Sequence, residues 1–177
     1  MTIIEHRQVE DWIAALQQGL QELLGDDLQK CAMIGIHSGG VTLGEILHRE
    51  LNLSIPFGQL NISFYRDDFS HIGLHPVVGA SDIPFAVDGQ KIILVDDVIG
   101  TGRTIRAAMN EIFDYGRPAR IILAALVDRQ GRELPVRADV LGHSLELNAQ
   151  QHIKLITEDL TFEIQDVGQS ASNTGHE

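Results

Sequence analysis

Apolar residues recur at helical spacing in three stretches of the chain. In residues 9–24 the apolar positions share one side of a helix, and they are Val9, Trp12, Ile13, Leu16, Leu20, Leu23 and Leu24. Gly25 follows and is expected to end this helix. A second helical pattern spans residues 41–51, and a third spans 104–115, where Gly116 and Pro118 supply the stop. The spacing therefore predicts three helices.

Strand patterns lie between these helices. The runs CAMIGI (31–36), KIILVDD (91–97) and ARIILAALVD (119–128) are short and largely apolar, QLNISFY (59–65) alternates, and ADVLG (138–142) is shorter. IKLITEDLTFEI (153–164) has the pattern of two strands around a turn. Because apolar strands that alternate with helices are buried on both faces, we predict an α/β fold with a mostly parallel, twisted central sheet flanked by helices. The last two strands would form a smaller region after this core.

Composition predicts one domain over residues 1–177, since 177 residues with 44% apolar content can bury an ordinary core. Residues 66–85 are rich in Gly, Pro and polar residues without a clear period, so we expect a flexible loop there. The tail from 168 to 177 is small and polar and is expected to be disordered.

Charge and cysteine content narrow the class of protein. The formal net charge of -12 argues against a surface built throughout for nucleic acid. The single cysteine, Cys31, lies in an apolar run and is expected to be a buried, inert thiol. The chain shows no signal-peptide pattern, and its longest apolar run, residues 121–127, is too short to cross a bilayer. We therefore expect a soluble, cytoplasmic protein with no membrane partner.

Candidate chemistry lies where the strands end, because open parallel sheets bind ligands at the carboxyl ends of their strands. Those segments are 37–40, 96–104 and 128–137. Asp96 and Asp97 end one strand, and the loop 100–104 (Gly-Thr-Gly-Arg-Thr) joins it to a helix. Glycine backbone and a helix N-terminus make a cradle for a phosphate. A phosphate alone would be repelled by two carboxylates, whereas a sugar phosphate offers hydroxyls to them. The alternative is that the acids cap the turn and the glycines only let it close.

These stretches resemble a known family. IILVDDVIGTGRT (92–104) resembles the phosphoribosyl pyrophosphate (PRPP) motif of type I phosphoribosyltransferases. SFYRDDFS (63–70), GRPARIILAALVDR (116–129) and RELPVRADVLG (132–142) are similar to the corresponding stretches of the PyrR family. Members of this family regulate pyrimidine operons and act as uracil phosphoribosyltransferases. The resemblance runs in order through residues 33–142.

The resemblance implies a type I phosphoribosyltransferase fold with a hood region, and conversion of uracil and PRPP into UMP and pyrophosphate with Mg²⁺. Asp96 and Asp97 would be the catalytic acids that hold the ribose hydroxyls, and would bind the metal through those hydroxyls or through water. PRPP would be bound by two loops, whose residues are His37, Ser38, Gly39, Gly40, Gly100, Thr101, Gly102, Arg103 and Thr104. The base would be framed by Val127, Asp128, Arg129 and Arg137, and the flexible loop would contribute Arg66, Asp67 and Asp68. A homodimer or higher homo-oligomer is also implied.

Two stretches differ from the family pattern. The pyrophosphate loop reads IHSGG (36–40), without the usual basic residue, and the first helix reads EDWIAALQQG (10–19), without the cations of RNA-binding members. RNA binding is therefore not expected. The weak cationic character of the loop leaves an alternative, a nucleotide-sensing regulator with little or no catalysis that acts through a partner. A phosphoribosyltransferase for another base is a weaker alternative.

Overall fold

The structure, a computed structural model, describes residues 1–62 and 80–167. The helices in these ranges are α1 (His6–Leu24), a 3₁₀ helix (Gly25–Lys30), α2 (Gly39–Glu50) and α3 (Arg103–Tyr115). The strands are β1 (Thr2–Ile4), β2 (Ala32–Ile36), β3 (Gly58–Leu60), β4 (Lys91–Ile99), β5 (Arg120–Arg129), β6 (Val140–Leu145), β7 (Gln151–Ile156) and β8 (Thr161–Asp166). The three predicted helices and the predicted strands all begin or end within a few residues of these bounds wherever the chain is described.

Five parallel strands form the central sheet, in the order β3-β2-β4-β5-β6. Side chains alternate across it, so Ile93 and Val95 of β4 join the core beneath α1 and α2, whereas Ile92 and Leu94 join the core beneath α3. Both faces of the sheet are therefore covered, which explains its nearly continuous apolar strands and confirms the predicted α/β fold.

Helix α1 packs its apolar stripe onto the sheet. The stripe is buried at Val9, Ile13, Leu16, Leu20 and Leu24. Leu23, predicted on the same face, is instead 42% exposed, because it lies at the edge of the stripe. A Cβ added at Gly19 would lie 2.4 Å from Val140 Cγ1, so α1 presses directly on β6. Gly25, with φ 50°, ends the helix as predicted.

A second, antiparallel sheet has the order β1-β8-β7, and we call it the hood sheet. Its two C-terminal strands confirm the predicted pair. Phe162 and Leu155 are buried and fasten the hood sheet to the core under α1. Strand β1 was not predicted, because three residues are too few to show a period of two; it pairs Ile4 with Phe162 and Thr2 with Ile164.

The 3₁₀ helix carries a small charge cluster next to the cysteine. Lys91 at the start of β4 and then Lys30 bind Asp27, and these cations hold the pKa of the Asp27 carboxyl below its usual value of 3.8. Cys31 is fully buried as predicted, and burial raises the pKa of its thiol.

Parts of three predicted segments, a strand, a loop and the C-terminal tail, lie outside the described residues. These parts are the second half of the predicted strand 59–65, most of the predicted flexible loop 66–85 with Arg66, Asp67 and Asp68, and the predicted tail 168–177. Of the loop, only residues 80–85 are described, where the backbone of Asp82 bridges that of Gln59 at the sheet edge. Within the described ranges, no helix has the length and apolar content needed to span a membrane.

Candidate active site

Two buried acids mark the carboxyl end of the central strand. Asp96 and Asp97 of β4 are 2% and 9% exposed, and they are the two buried charged side chains among the described residues. The N–H of Asp97 donates to Oδ1 of Asp96 at 3.0 Å. Residues 92–95 before them are fully buried, so the apolar run carries both acids into the protein. Burying two like charges is costly, which is typical of a functional site rather than of a structural one.

The turn after β2 lies directly against this acid pair. A Cβ added at Gly39 would lie 2.2 Å from Oδ2 of Asp97, and one added at Gly40 would lie 2.5 Å from the carbonyl oxygen of Val95. Only glycine leaves room for this approach. Next to them, Nε2 of His37 lies 3.0 Å from Oε1 of Gln59, and the His37–Ser38 peptide bond is cis.

The loop between β4 and α3 presents backbone to the same region. Gly102 is the N-cap residue of α3, is buried and has φ 93°, a conformation that glycine adopts without strain. It has no side chain to cap the helix, and the first turn of α3 holds no acidic residue. The N–H of Arg103 donates to Oγ1 of Thr101 at 3.2 Å, and the positive end of the helix dipole favours an anionic ligand beside this loop.

The segment after β5 is clamped onto this loop. Arg132 donates to both carboxylate oxygens of Asp128 at 2.7 Å and also to the carbonyl oxygen of Gly100. The N–H groups of Glu133 and Leu134 donate to the carbonyl oxygen of Thr101 at 2.9 and 3.1 Å. The segment 132–134 thus holds the loop 100–104 in one conformation, although the two lie about 30 residues apart in the sequence.

Two arginines of the neighbourhood differ in their contacts. Nε of Arg103 donates to Oε2 of Glu133 at 2.7 Å, so Arg103 adds a further link between α3 and the clamping segment. Arg129 packs against the loop, with its Nε 2.7 Å from where a Cβ of Gly100 would lie. Arg103 is therefore engaged in an exposed ion pair, whereas Arg129 lines the cleft next to the acid pair.

These parts enclose a cleft of ≈ 570 Å³, large enough for a nucleotide-sized ligand. Of the predicted site residues it brings together Ser38, Asp96, Asp97, Gly100, Thr101, Gly102, Thr104 and Arg129. His37, Gly39, Gly40 and Arg103 lie beside it without lining it. Three predicted base residues do not line it either: Val127 is buried in β5, Asp128 pairs with Arg132, and Arg137 is exposed.

The remaining wall of the cleft comes from the hood sheet, which sequence reasoning missed. Polar and apolar residues of this sheet line it together, and they are His152, Ile153, Lys154 and Leu155 of β7, Glu163 and Gln165 of β8, and Val167 just after β8. The alternation of polar and apolar residues predicts the two strands, but nothing in the local sequence says that this strand pair lies beside the carboxyl ends of the central sheet.

The acid pair also bears on metal binding. No cluster of three or more His, Cys, Asp or Glu suited to a metal ion occurs in residues 1–62 and 80–167. Mg²⁺ is commonly held by one or two carboxylates together with substrate oxygens and water. Asp96 and Asp97 therefore fit a Mg²⁺ ion that arrives with a phosphorylated substrate.

Comparisons with known proteins agree with this geometry. Residues 2–156 match the family model described as "Phosphoribosyl transferase domain". The chain is 55% identical over 154 residues to "Bifunctional protein PyrR" of Nitrosococcus oceani, covering 85% of this chain and 87% of the relative. It is 52% identical over 129 residues to the protein of the same name in Pseudomonas aeruginosa, covering 73% of this chain and 76% of that relative.

Solved structures show the same fold at low identity. A hypoxanthine-guanine phosphoribosyltransferase of Bacillus anthracis matches with a TM-score of 0.65 and 18% identity, covering 82% of this chain and 83% of that one. The enzyme of Leishmania tarentolae in complex with GMP matches with a TM-score of 0.61 and 16% identity, covering 83% and 82%. With the matched domain, the close relatives and the acid pair beside its glycine loop, the chain belongs to the PyrR family of type I phosphoribosyltransferases.

Proposed function

We propose that this protein transfers the phosphoribosyl group of PRPP to uracil, giving UMP and pyrophosphate, with a further role in pyrimidine regulation. The observation that carries the proposal is the buried Asp96–Asp97 pair, which shares one cleft with a backbone loop at a helix N-terminus. Hydroxyl-binding acids beside a phosphate cradle suit a ribose 5-phosphate, and the PyrR relatives support the same activity.

Each part of the cleft has a role in this proposal. The loop 100–104 binds the 5-phosphate through its backbone N–H groups and the hydroxyls of Thr101 and Thr104. The carboxylates of Asp96 and Asp97 accept hydrogen bonds from the ribose hydroxyls. The clamp of Arg132 on Gly100 keeps the loop in place, so ligand binding does not have to order it.

Pyrophosphate is bound at the turn 37–40, which supports its departure. Gly39 and Gly40 let backbone N–H groups approach, and Ser38 adds a hydroxyl that lines the cleft. Mg²⁺, when bound with PRPP, supplies positive charge beside the departing pyrophosphate and offsets the two aspartates. Arg129 is the cationic side chain of the central-sheet wall.

The transfer step needs no covalent protein nucleophile. As the bond to pyrophosphate weakens, the ribose carbon acquires oxocarbenium character, and the buried carboxylates near the ring stabilise positive charge. Uracil attacks the same carbon from the opposite side, so catalysis depends mainly on holding the two substrates in line. Residues of the hood sheet line the same cleft, and in this proposal they lie on the side of the base.

The decisive experiment measures UMP formation from uracil and PRPP with Mg²⁺. Wild type is compared with the Asp96→Asn/Asp97→Asn double variant, which keeps the shape of both side chains. We expect a fall in kcat/KM of more than about 100-fold, in the range found when charged transition-state contacts are removed. Asp11→Asn, on the exposed face of α1, removes one acid outside the cleft and should leave the rate unchanged.

A folded wild type that binds UMP but forms none would contradict the catalytic proposal. That outcome would favour the alternative of a nucleotide-sensing regulator. Thermal unfolding of each variant shows whether it is folded before its rate is interpreted.

The partners follow from the same proposal. They are PRPP, uracil and UMP in the cytoplasm, with the protein assembled as a homodimer or higher homo-oligomer. RNA is not among them, since the exposed face of α1 carries Glu10 and Asp11 and, within residues 10–19, no cation. Tight, sequence-dependent retention of pyrimidine-leader RNA in filter binding at low salt would contradict this point.

A further inference from the structure

His37, the first residue of the turn 37–40, is bound twice by the neighbouring strand β3. Its backbone N–H donates to the carbonyl oxygen of Leu60 at 2.9 Å. Its ring atom Nε2 lies 3.0 Å from Oε1 of Gln59. Because an amide oxygen can only accept, Nε2 carries the proton and donates, which fixes the orientation of the imidazole. The start of the turn is therefore attached to β3 through both its main chain and its side chain.

Gln59 is itself held in place at the edge of the central sheet. Its N–H donates to the carbonyl oxygen of Asp82 at 2.7 Å, and its carbonyl oxygen accepts from the N–H of Asp82 at 2.8 Å. On the other side, β3 pairs in parallel with β2, where Gln59 is the register partner of Gly35. The backbone of Gln59 is thus fixed from both sides, so its half-buried side chain holds the imidazole from a defined position.

Ser38 depends on its neighbours in the chain for its position. It lines the cleft and is the N-cap residue of α2, but its side chain makes no capping hydrogen bond to the helix. After it, Gly39 and Gly40 lie against the acid pair and the end of β4. Before it stands His37, so a shift of His37 would move the peptide group and the hydroxyl that Ser38 presents to the cleft.

The turn 37–40 contains no lysine or arginine. An anion bound there depends on backbone N–H and hydroxyl donors, and such hydrogen bonds weaken steeply when their geometry is distorted. We propose that Gln59 is a positioning residue for pyrophosphate. Through His37 it sets the orientation of the turn, and with it the affinity of the turn for pyrophosphate. This inference rests on the proposed function, which places pyrophosphate at the turn 37–40.

The test is calorimetric titration with pyrophosphate in the presence of Mg²⁺ and, separately, with UMP. Gln59→Leu removes the acceptor while keeping a similar volume, and we expect it to weaken pyrophosphate binding about tenfold, as for the loss of well-oriented hydrogen bonds. UMP binding should stay within about twofold of wild type, because the phosphate of UMP belongs to the separate loop 100–104. Gln59→Glu keeps an oxygen acceptor on a side chain of the same length and should bind pyrophosphate as wild type does.

Two further comparisons show whether Gln59 acts through His37. His37→Ala removes the same hydrogen bond from its other end and should weaken pyrophosphate binding at least as much as Gln59→Leu. The double variant should then show no further loss. Gln90→Leu is the matched control, since Gln90 is also half-buried but donates to the carbonyl oxygens of Lys30 and Lys91 at the amino end of β4. It should bind both ligands as wild type does, and thermal unfolding shows whether each variant is folded.

The outcomes separate this inference from the proposed function. The inference is overturned if Gln59→Leu keeps the wild-type affinity for pyrophosphate, if it weakens pyrophosphate and UMP equally, or if the losses in the double variant add up. A wild type that forms UMP but shows no pyrophosphate binding would also overturn it, while the proposed function would stand. If wild type binds both ligands but forms no UMP from uracil and PRPP, the proposed catalysis is contradicted and the variants still test the role of Gln59.

Discussion

Gly39→Ala places a methyl group where the turn 37–40 meets the acid pair. Its Cβ would lie 2.2 Å from Oδ2, 2.5 Å from Cγ and 2.9 Å from Cβ of Asp97. An ordinary contact is 3.4 Å or longer, so the Asp97 carboxylate and the turn must separate by about 1.2 Å. The backbone of Gly39 has no positive φ, and alanine can adopt its conformation. The change therefore acts through this overlap.

The effect on stability should be modest and the effect on catalysis large. Overpacking a tight site costs about 1–3 kcal/mol, and replacing glycine by alanine in the first turn of α2 recovers up to ~1 kcal/mol of helix propensity. The net loss of about 0–3 kcal/mol corresponds to a fall in Tm of up to about 12 °C for a chain of this size. Under the proposed function the Asp97 carboxylate holds the ribose, so its displacement by about 1 Å should lower kcat/KM about 100-fold.

Gly19→Ala is the matched control, because it makes an equally close overlap far from the cleft. Its Cβ would lie 2.4 Å from Cγ1 of Val140, in the contact between α1 and β6. Both variants are measured for UMP formation under saturating Mg²⁺ and for thermal unfolding. We expect similar losses of Tm in the two proteins, with the loss of activity confined to Gly39→Ala. If Gly39→Ala keeps kcat/KM within about threefold of Gly19→Ala, the reasoning that Asp97 must hold its observed position is refuted.

Two further predictions concern charges outside the acid pair. Asp128→Asn weakens the ion pair in which one Arg132 nitrogen donates to both carboxylate oxygens. We expect a loss of about 1–3 kcal/mol in urea unfolding and a higher KM for PRPP, and an unchanged KM would show that the clamp is dispensable. Asp27→Asn tests the lowered pKa of the Asp27 carboxyl. Above the unfolded pKa of 3.8, the ion pair with Lys91 stabilises the wild type fully. As pH falls through the lower folded pKa, the extra stability of the wild type over the variant is lost. The measurement is the free energy of unfolding of both proteins at a series of pH values. A difference in stability that stays constant into strongly acidic solution would contradict the lowered pKa of Asp27.

The central sheet and the acid pair could be predicted because their causes are local. Each buried strand can be recognised in the sequence as an apolar run. The carboxyl ends of parallel strands lie at the same edge of the sheet. Asp96, Asp97 and the loop 100–104 therefore converge as predicted. The resemblance of the same stretch to a known motif pointed to the family that the relatives then established.

Other parts of the site could not be predicted, because they depend on contacts between residues that no local sequence pattern relates. Asp128 and Arg132 are four residues apart, but they lie outside a helix, so no local rule joins them. Likewise, the need for glycine at position 39 depends on Asp97, which lies 58 positions later in the chain. The hood strands could be predicted as strands, but only the tertiary structure shows that residues of this sheet line the cleft.

The pairing of β1 with β8 has a consequence for how the protein forms during synthesis. Residues 2–4 leave the ribosome early, but their hydrogen-bonding partners at 162–164 follow about 160 residues later. Every strand of the central sheet is synthesised between β1 and β8. This sheet can therefore assemble before β1 has its pairing partner. Closing so long a loop is among the slow, entropically costly steps of folding. The nascent chain would therefore have its acid pair and the loop 100–104 in place before the hood sheet is complete, so enclosure of the cleft would be the last feature of the site to form.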